Sequence, residues 1–122
     1  MSKRFSLAAR LASFRHAIRG LGFLLRDQHN ARIHLAASLG VVALGLVLGV
    51  SRADWGLLVL AMALVWLAEG LNSALEHLAD ALHPDQHPLV GKAKDVAAGA
   101  VLVVALAAAI VGLLVFLPYL VD

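Results

Sequence analysis

The segment DWGLLVLAMALVWLAEGLNSALEHLAD, residues 54–80, decides the fold. Trp55 to Ala68 carries no charge, and Leu71, Ala74, Leu75 and Leu78 continue the apolar pattern past two glutamates. Read as one helix over Asp54–Asp80, it would be about 40 Å long at 1.5 Å per residue. That is enough to cross a hydrocarbon layer of ~30 Å and project a turn or two beyond it. On a helical wheel with Glu69 at the origin, Asn72 falls at ~300°, Glu76 at ~340°, Asp80 at ~20° and Ser73 at ~40°. Three carboxylates, an amide and a hydroxyl therefore share one face, while the leucines and Ala74 take the other.

Two further spans flank this segment. Ile33–Ser51 has no Asp, Glu, Lys or Arg, and its polar interruptions are His34, Ser38 and Ser51; Val96–Val121 is longer and wholly uncharged. The chain of 122 residues is 61% hydrophobic and 15% charged, against about 45–50% apolar for an average soluble domain. The expected fold class is thus all-α and membrane-embedded: one domain over residues 1–122, with a surface helix about 5–26 and spans about 31–50, 54–80 and 95–120. The first long apolar run begins near residue 31, behind a lengthy basic region, which does not suit a cleaved signal peptide. The absence of cysteine excludes disulfides and thiolate chemistry. The basic residues flank apolar spans instead of forming a patch with interleaved aromatics, so nucleic acid is not an expected partner.

Charge sets the expected orientation. Lys3, Arg4, Arg10, Arg15, Arg19, Arg26 and Arg32 precede the first span, Lys92 and Lys94 sit between the second and third, and only Arg52 lies in the other loop. The positive-inside rule then places the N-terminus and the 81–95 loop in the cytoplasm, with Trp55 and Tyr119 at the outer interface. Ahead of the first span, Leu7, Leu11, Phe14, Ile18, Leu21 and Leu25 fall on a stripe about 80° wide, flanked by Arg15, Arg19 and Arg26. This suits a helix lying in the headgroup layer. Gly20 and Gly22 weaken it and mark a candidate hinge.

An ionised residue at the centre of a span costs on the order of 2.5–3.5 kcal/mol on insertion scales. Several on one stripe point to a catalytic or metal site. The alternatives are carboxylic acids bridging helices, or an ion or proton pathway. Glu69 lies about 16 Å below Asp80 along the axis, and Trp55–Ala68 offers no charged group on the outer half, so the stripe is open toward one side only. That argues for chemistry at the inner interface over transport. Three helices of one chain could not readily shield such a stripe from lipid, so an oligomer is expected. Lys94 could neutralise phosphate charge and, with Asp95, stands at the expected start of the last helix, where the dipole favours anions. Lys92 and Lys94 also have the plainer reading of enforcing topology and snorkelling to lipid phosphates. His83 and His87 read first as ordinary loop histidines.

The pattern E-x-L-N-S-A-L-E-x-x-x-D at Glu69–Asp80 resembles the signature of the prokaryotic diacylglycerol kinase and undecaprenol kinase family. Three more stretches match in order: Phe14–Gly20 resembles its surface helix, Asn30–Leu35 its entry to the first span, and Lys94–Val101 the start of its third. The last two look closer to the undecaprenol kinase branch. The resemblance implies a multi-pass protein of the bacterial inner membrane, assembled as a homotrimer with composite sites between subunits. It also implies ATP with Mg²⁺ as donor and a lipid hydroxyl as acceptor. By position, Glu69 would be the general base, Asn72 would orient it or the hydroxyl, and Glu76 would hold Mg²⁺. Asp80, His87, Lys94 and Asp95 would line the nucleotide site, with Arg19 reaching it from the surface helix.

One departure from the pattern stands at Gln28, where the family usually has a glutamate that joins Glu76 on the metal. An amide carbonyl can still ligate, with one negative charge fewer. Asp27 is adjacent but about 100° away on a helix, so it substitutes only if the backbone there is irregular. The departure keeps open a decayed homologue acting as a membrane adaptor, beside the small ion-coupled transporter that the one-sided stripe disfavours.

Overall fold

The structure, a computed structural model, describes residues 4–121. It contains four helices in chain order: α1 (Leu7–Asp27), α2 (His29–Leu48), α3 (Arg52–Leu82) and α4 (Pro88–Leu120). The last three are long and apolar enough to cross a membrane. The all-helical expectation holds, with α1 as the additional N-terminal helix.

α1 starts at Ser6, whose hydroxyl accepts from the Ala9 N–H at 3.2 Å, as an N-cap should. Leu7, Leu11, Phe14, Ile18 and Leu21 all stay exposed, and only Leu24, near the C-terminal end, is buried against the other helices. The apolar stripe is thus left bare by the chain from Leu7 to Leu21 and half-covered at Leu25, as expected of a helix resting on lipid. The helix runs unbroken through Gly20 and Gly22, so neither glycine hinges it. The break comes at Gln28 instead, a single extended residue (φ −117°, ψ 118°) between α1 and α2. Arg32 clamps this corner. Its Nε donates to the Leu25 carbonyl at 2.9 Å and its Nη2 to the Arg26 carbonyl, placing a cation on the open C-terminal carbonyls of α1.

α2 ends at Gly49, whose φ of 64° and ψ of 45° are left-handed and suit glycine. The Val50 N–H returns to the Gly45 carbonyl at 3.2 Å, closing the turn in the Schellman manner. Ser51 then caps α3 by accepting from the Asp54 N–H at 3.1 Å. At the same end the Tyr119 hydroxyl accepts from the Ser51 N–H at 2.9 Å and donates to Asp54 Oδ2 at 2.5 Å. Val50, Leu58, Val115 and Phe116 form the apolar core beside this clasp, with Trp55 packed against it. Trp55 and Tyr119 thus hold helices together, a role beyond the interfacial anchoring their positions suggest.

α3 and α4 pack along each other most extensively, while α2 rests chiefly on α3 and barely meets α4. An open, mostly apolar groove of about 690 Å³ remains between α2 and α4, floored by Leu58, Met62 and Val65 of α3. The expected start of the last span near residue 95 is corrected by the structure to Pro88. Proline is favoured at a first helical position because its missing N–H has no partner there. His87 is the N-cap, its Nδ1 accepting from the Leu89 N–H at 3.1 Å. Lys94 and Asp95 consequently lie in the second turn and beyond, outside the reach of the first-turn dipole.

Gly45 is buried where the helices close: a Cβ there would meet Trp55 Cη2 at 2.6 Å and Cζ2 at 2.8 Å. The rigid indole is packed and cannot swing away. Gly45→Ala should therefore destabilise the fold by about 1–3 kcal/mol, read from unfolding curves in mixed detergent micelles, and Trp55→Leu in the same chain should recover part of the loss.

Candidate functional site

Three helices converge around the stripe on α3. The end of α1, the start of α2 and the second half of α3 meet where Leu24, Ala31, Glu69, Asn72 and Ser73 are buried. Leu24 Cδ2 lies 4.0 Å from the position a Cβ would take on Gly70, an ordinary van der Waals distance, so α1 rests on α3 at this point. Burial is graded along the stripe. Glu69 is 1% exposed and Asn72 8%, while Glu76 is half-buried and Asp80 exposed. The deep half of the stripe is shielded within one chain, while Glu76 and Asp80 remain accessible.

Glu69 is the focal group. Both of its carboxylate oxygens, and Oδ1 of Asn72, are buried without a hydrogen-bond partner. Its nearest charged or titratable contact is His34 on α2, whose Nε2 stands 3.3 Å from Oε2. That separation is an ion-pair contact whose present alignment falls short of a hydrogen bond. A buried acceptor left open in this way is uncommon and needs a reason, such as a catalytic role or an absent ligand. His34 lines the groove between α2 and α4; Glu69 does not, and lies behind it.

Toward the end of α3 the polar groups pair off. His77 donates from Nδ1 to the Ser73 carbonyl at 2.7 Å, and its Nε2 faces Asp27 of α1 at 3.8 Å. Asp27 is therefore turned to His77, although Gln28 does supply the irregular backbone that a substitution for the missing glutamate would require. Lys94 Nζ binds Asp80 Oδ1 at 2.5 Å, linking α4 to α3. Lys94 also borders a cleft of about 510 Å³ formed mainly by the 83–88 loop and the first turn of α4. In that cleft the rings of His83 and His87 stand 4.9 Å apart.

The structure thus brings Glu69, Asn72, Glu76 and Asp80 onto one face and adds Lys94 to its outer end. Arg19 and Asp95 are exposed, and His87 caps α4 through its Nδ1. Among the described residues no three His, Cys, Asp or Glu side chains come together as metal ligands. The resemblance assigns a metal to Glu76, half-buried on the stripe, and to the amide oxygen of Gln28, half-buried at the break between α1 and α2. This sparse oxygen set fits Mg²⁺, which is commonly held by one or two carboxylates and completed by waters and substrate phosphates. It does not fit a metal that demands a closed protein cage.

Beyond the resemblance of Asn30–Leu35 to the family's entry to the first span, the sequence assigns His34 no role except as a polar interruption and Arg32 none except as a topology charge. A histidine one turn into an otherwise apolar helix is the available signal for the first. Nothing in the spacing of Arg32 foretells its contact with the carbonyls at the end of α1.

Residues 15–116 match the family model described as prokaryotic diacylglycerol kinase. The chain belongs to this family. Two relatives align over most of it. An undecaprenol kinase of Bacillus subtilis is 41% identical over 108 residues, covering 88% of each chain. A diacylglycerol kinase of Synechocystis is 39% identical over 113 residues, covering 92% of this chain and 65% of the other. The chain is accordingly a lipid kinase with membrane-spanning helices.

The Asp80–Lys94 pair links α3 to α4 at the accessible end of the stripe. Both side chains retain solvent access, 65% and 34% respectively, and such exposed pairs contribute about 0–1 kcal/mol. Lys94→Met should leave the unfolding midpoint nearly unchanged but raise KM for ATP, measured by steady-state kinetics on micelle-solubilised protein.

Proposed function

We propose that this kinase transfers the γ-phosphoryl group of ATP to the terminal hydroxyl of undecaprenol at the cytoplasmic face of a bacterial inner membrane, as a homotrimer. The observation that carries the reading is the buried Glu69 carboxylate, unpartnered beside an unpartnered Asn72 amide oxygen, behind the end of an apolar groove. A structural carboxylate would be expected to have its oxygens satisfied; a general base keeps one open for the proton it will receive. The groove is apolar and open along its side, as a long hydrocarbon acceptor requires. The undecaprenol kinase relative, aligned over 88% of both chains, supports the acceptor, as does the likeness of Asn30–Leu35 and Lys94–Val101 to that branch.

Phosphoryl transfer asks a protein for positioning and charge stabilisation more than for covalent chemistry. In this reading the lipid hydroxyl loses its proton to Glu69 while its oxygen bonds to the γ-phosphorus and the bond to the ADP oxygen breaks. Asn72 orients the carboxylate or the hydroxyl from one turn further along α3. Lys94, freed from Asp80 by the stronger pull of phosphate, neutralises charge on the nucleotide. Asp80, His87 and Asp95 border the nucleotide, with Arg19 above them. Mg²⁺, held by Glu76 and Gln28, would supply charge neutralisation on the phosphates.

The inward orientation rests on the distribution of Lys and Arg. Seven precede or open α2, two lie early in α4 at the same end of the bundle, and one opens α3 at the other end. The trimer rests on family resemblance and on the sideways opening of Glu76 and Asp80, which a neighbouring subunit would complete.

Transfer of labelled phosphate from ATP to undecaprenol and to diacylglycerol, presented in parallel in mixed micelles, tests the assignment. Undecaprenol is expected to be labelled well ahead of diacylglycerol, and the reverse order would move the enzyme to the other branch. Glu69→Gln should abolish transfer to either lipid while fold and ATP binding persist; unchanged turnover would remove Glu69 from the chemistry. Gln28→Glu should lower the Mg²⁺ concentration for half-maximal activity by about tenfold, because it restores a carboxylate to a site that has one.

A further inference from the structure

Glu69 is too enclosed to hold its own geometry through water, and the group set against it is His34. Each element around Glu69 offers few alternatives. From α1 the titratable group is Asp27, which faces His77. From α2 they are His34 and Arg32, and the Arg32 guanidinium is spent on the Leu25 and Arg26 carbonyls. On α3 the neighbouring groups are Asn72, Glu76 and His77; the Asn72 amide makes no hydrogen bond to Glu69, whose two oxygens are both without a partner, and His77 is bound to the Ser73 carbonyl and faces Asp27. α4 presents no charged residue from Val96 to Leu120, and its Lys94 is bound to Asp80. Among the described residues, His34 is thus the group placed to donate to Glu69.

We infer that His34 is the positioning residue for Glu69, donating from Nε2 to Oε2 so that the carboxylate is held in one orientation with Oε1 left open to the lipid hydroxyl. This rests on the reading of Glu69 as the base. The 3.3 Å separation requires a small rotation of either side chain to become a well-aligned hydrogen bond, and catalytic hydrogen bonds commonly tighten when substrate binds. The site of His34 suits the task. Its ring is 18% exposed and borders the groove that would carry the hydrocarbon tail, whereas Glu69 is 1% exposed and lies behind it. One imidazole therefore touches both the tail path and the base, so that entry of the lipid and alignment of the carboxylate are coupled at a single side chain. His34 moves no proton in this scheme. It acts through Glu69 alone.

Three variants test the assignment on the full-length protein in micelles: His34→Gln, which keeps an N–H donor, and His34→Leu and His34→Met, which fill the space without one. The expected result is a fall in kcat of about 10- to 100-fold for Leu and Met, as for a misplaced catalytic group. KM for ATP should not change, and His34→Gln should recover most of the loss. Equal activity of Gln, Leu and Met, whether high or low, overturns the inference, because a packing role does not distinguish a donor from an isosteric apolar group. A loss expressed in KM for ATP with kcat intact overturns it as well. Should Leu fail to fold, the comparison of Gln with Met decides. Wild-type and Glu69→Gln proteins run alongside separate the two levels: inactive wild type or active Glu69→Gln removes the base reading itself, while a sound base with an indifferent position 34 removes only His34.

Discussion

A carboxylate enclosed by apolar helices is costly unless something compensates its charge, and the arrangement of the end of the bundle where α1, α2 and α3 meet follows from placing one there. Glu69 sits at the point where α1, α2 and α3 meet, with His34 the group set beside its oxygens. Around it the other polar groups are drawn off into their own partnerships: Asp27 with His77, Lys94 with Asp80, and Arg32 with the end of α1. The result is a charge that is kept apart from its neighbours, which is the condition for a side chain to react instead of merely to bind.

The opposite end of the bundle is built on different terms. There the Tyr119 hydroxyl, Ser51 and Asp54 form a closed set of hydrogen bonds, and the indole of Trp55 fills the space above Gly45. Every polar group named there has a partner and the core is apolar. One end is fastened and the other left with open acceptors, and the groove between α2 and α4 runs from His34 to the fastened end at Phe116 and Leu120. The scarcity of contact between those two helices is what leaves the apolar groove between them.

The twelve residues Glu69–Asp80 carry most of what is legible in the sequence. Their spacing predicts the polar face, and the structure grades it from buried Glu69 to exposed Asp80 as a helix leaving an apolar layer should. The three long apolar helices and the separate N-terminal helix are equally readable, since length and periodicity report them directly. The start of α4 escapes the sequence because Pro84 and Pro88 both read as loop, although proline is also a good first residue of a helix.

What the sequence determined by itself is the kind of protein: local composition dictates which segments can lie in hydrocarbon, and helical periodicity dictates which side chains share a face. The tertiary structure alone decided which faces meet. Nothing local pairs His34 with Glu69, thirty-five positions on, or sends Arg32 back to the carbonyls of α1, or requires glycine at 45 because an indole lies on it. Those facts depend on how helices cross and how close they come, which is settled by packing between segments far apart in the chain and is not written in the pattern of any one of them.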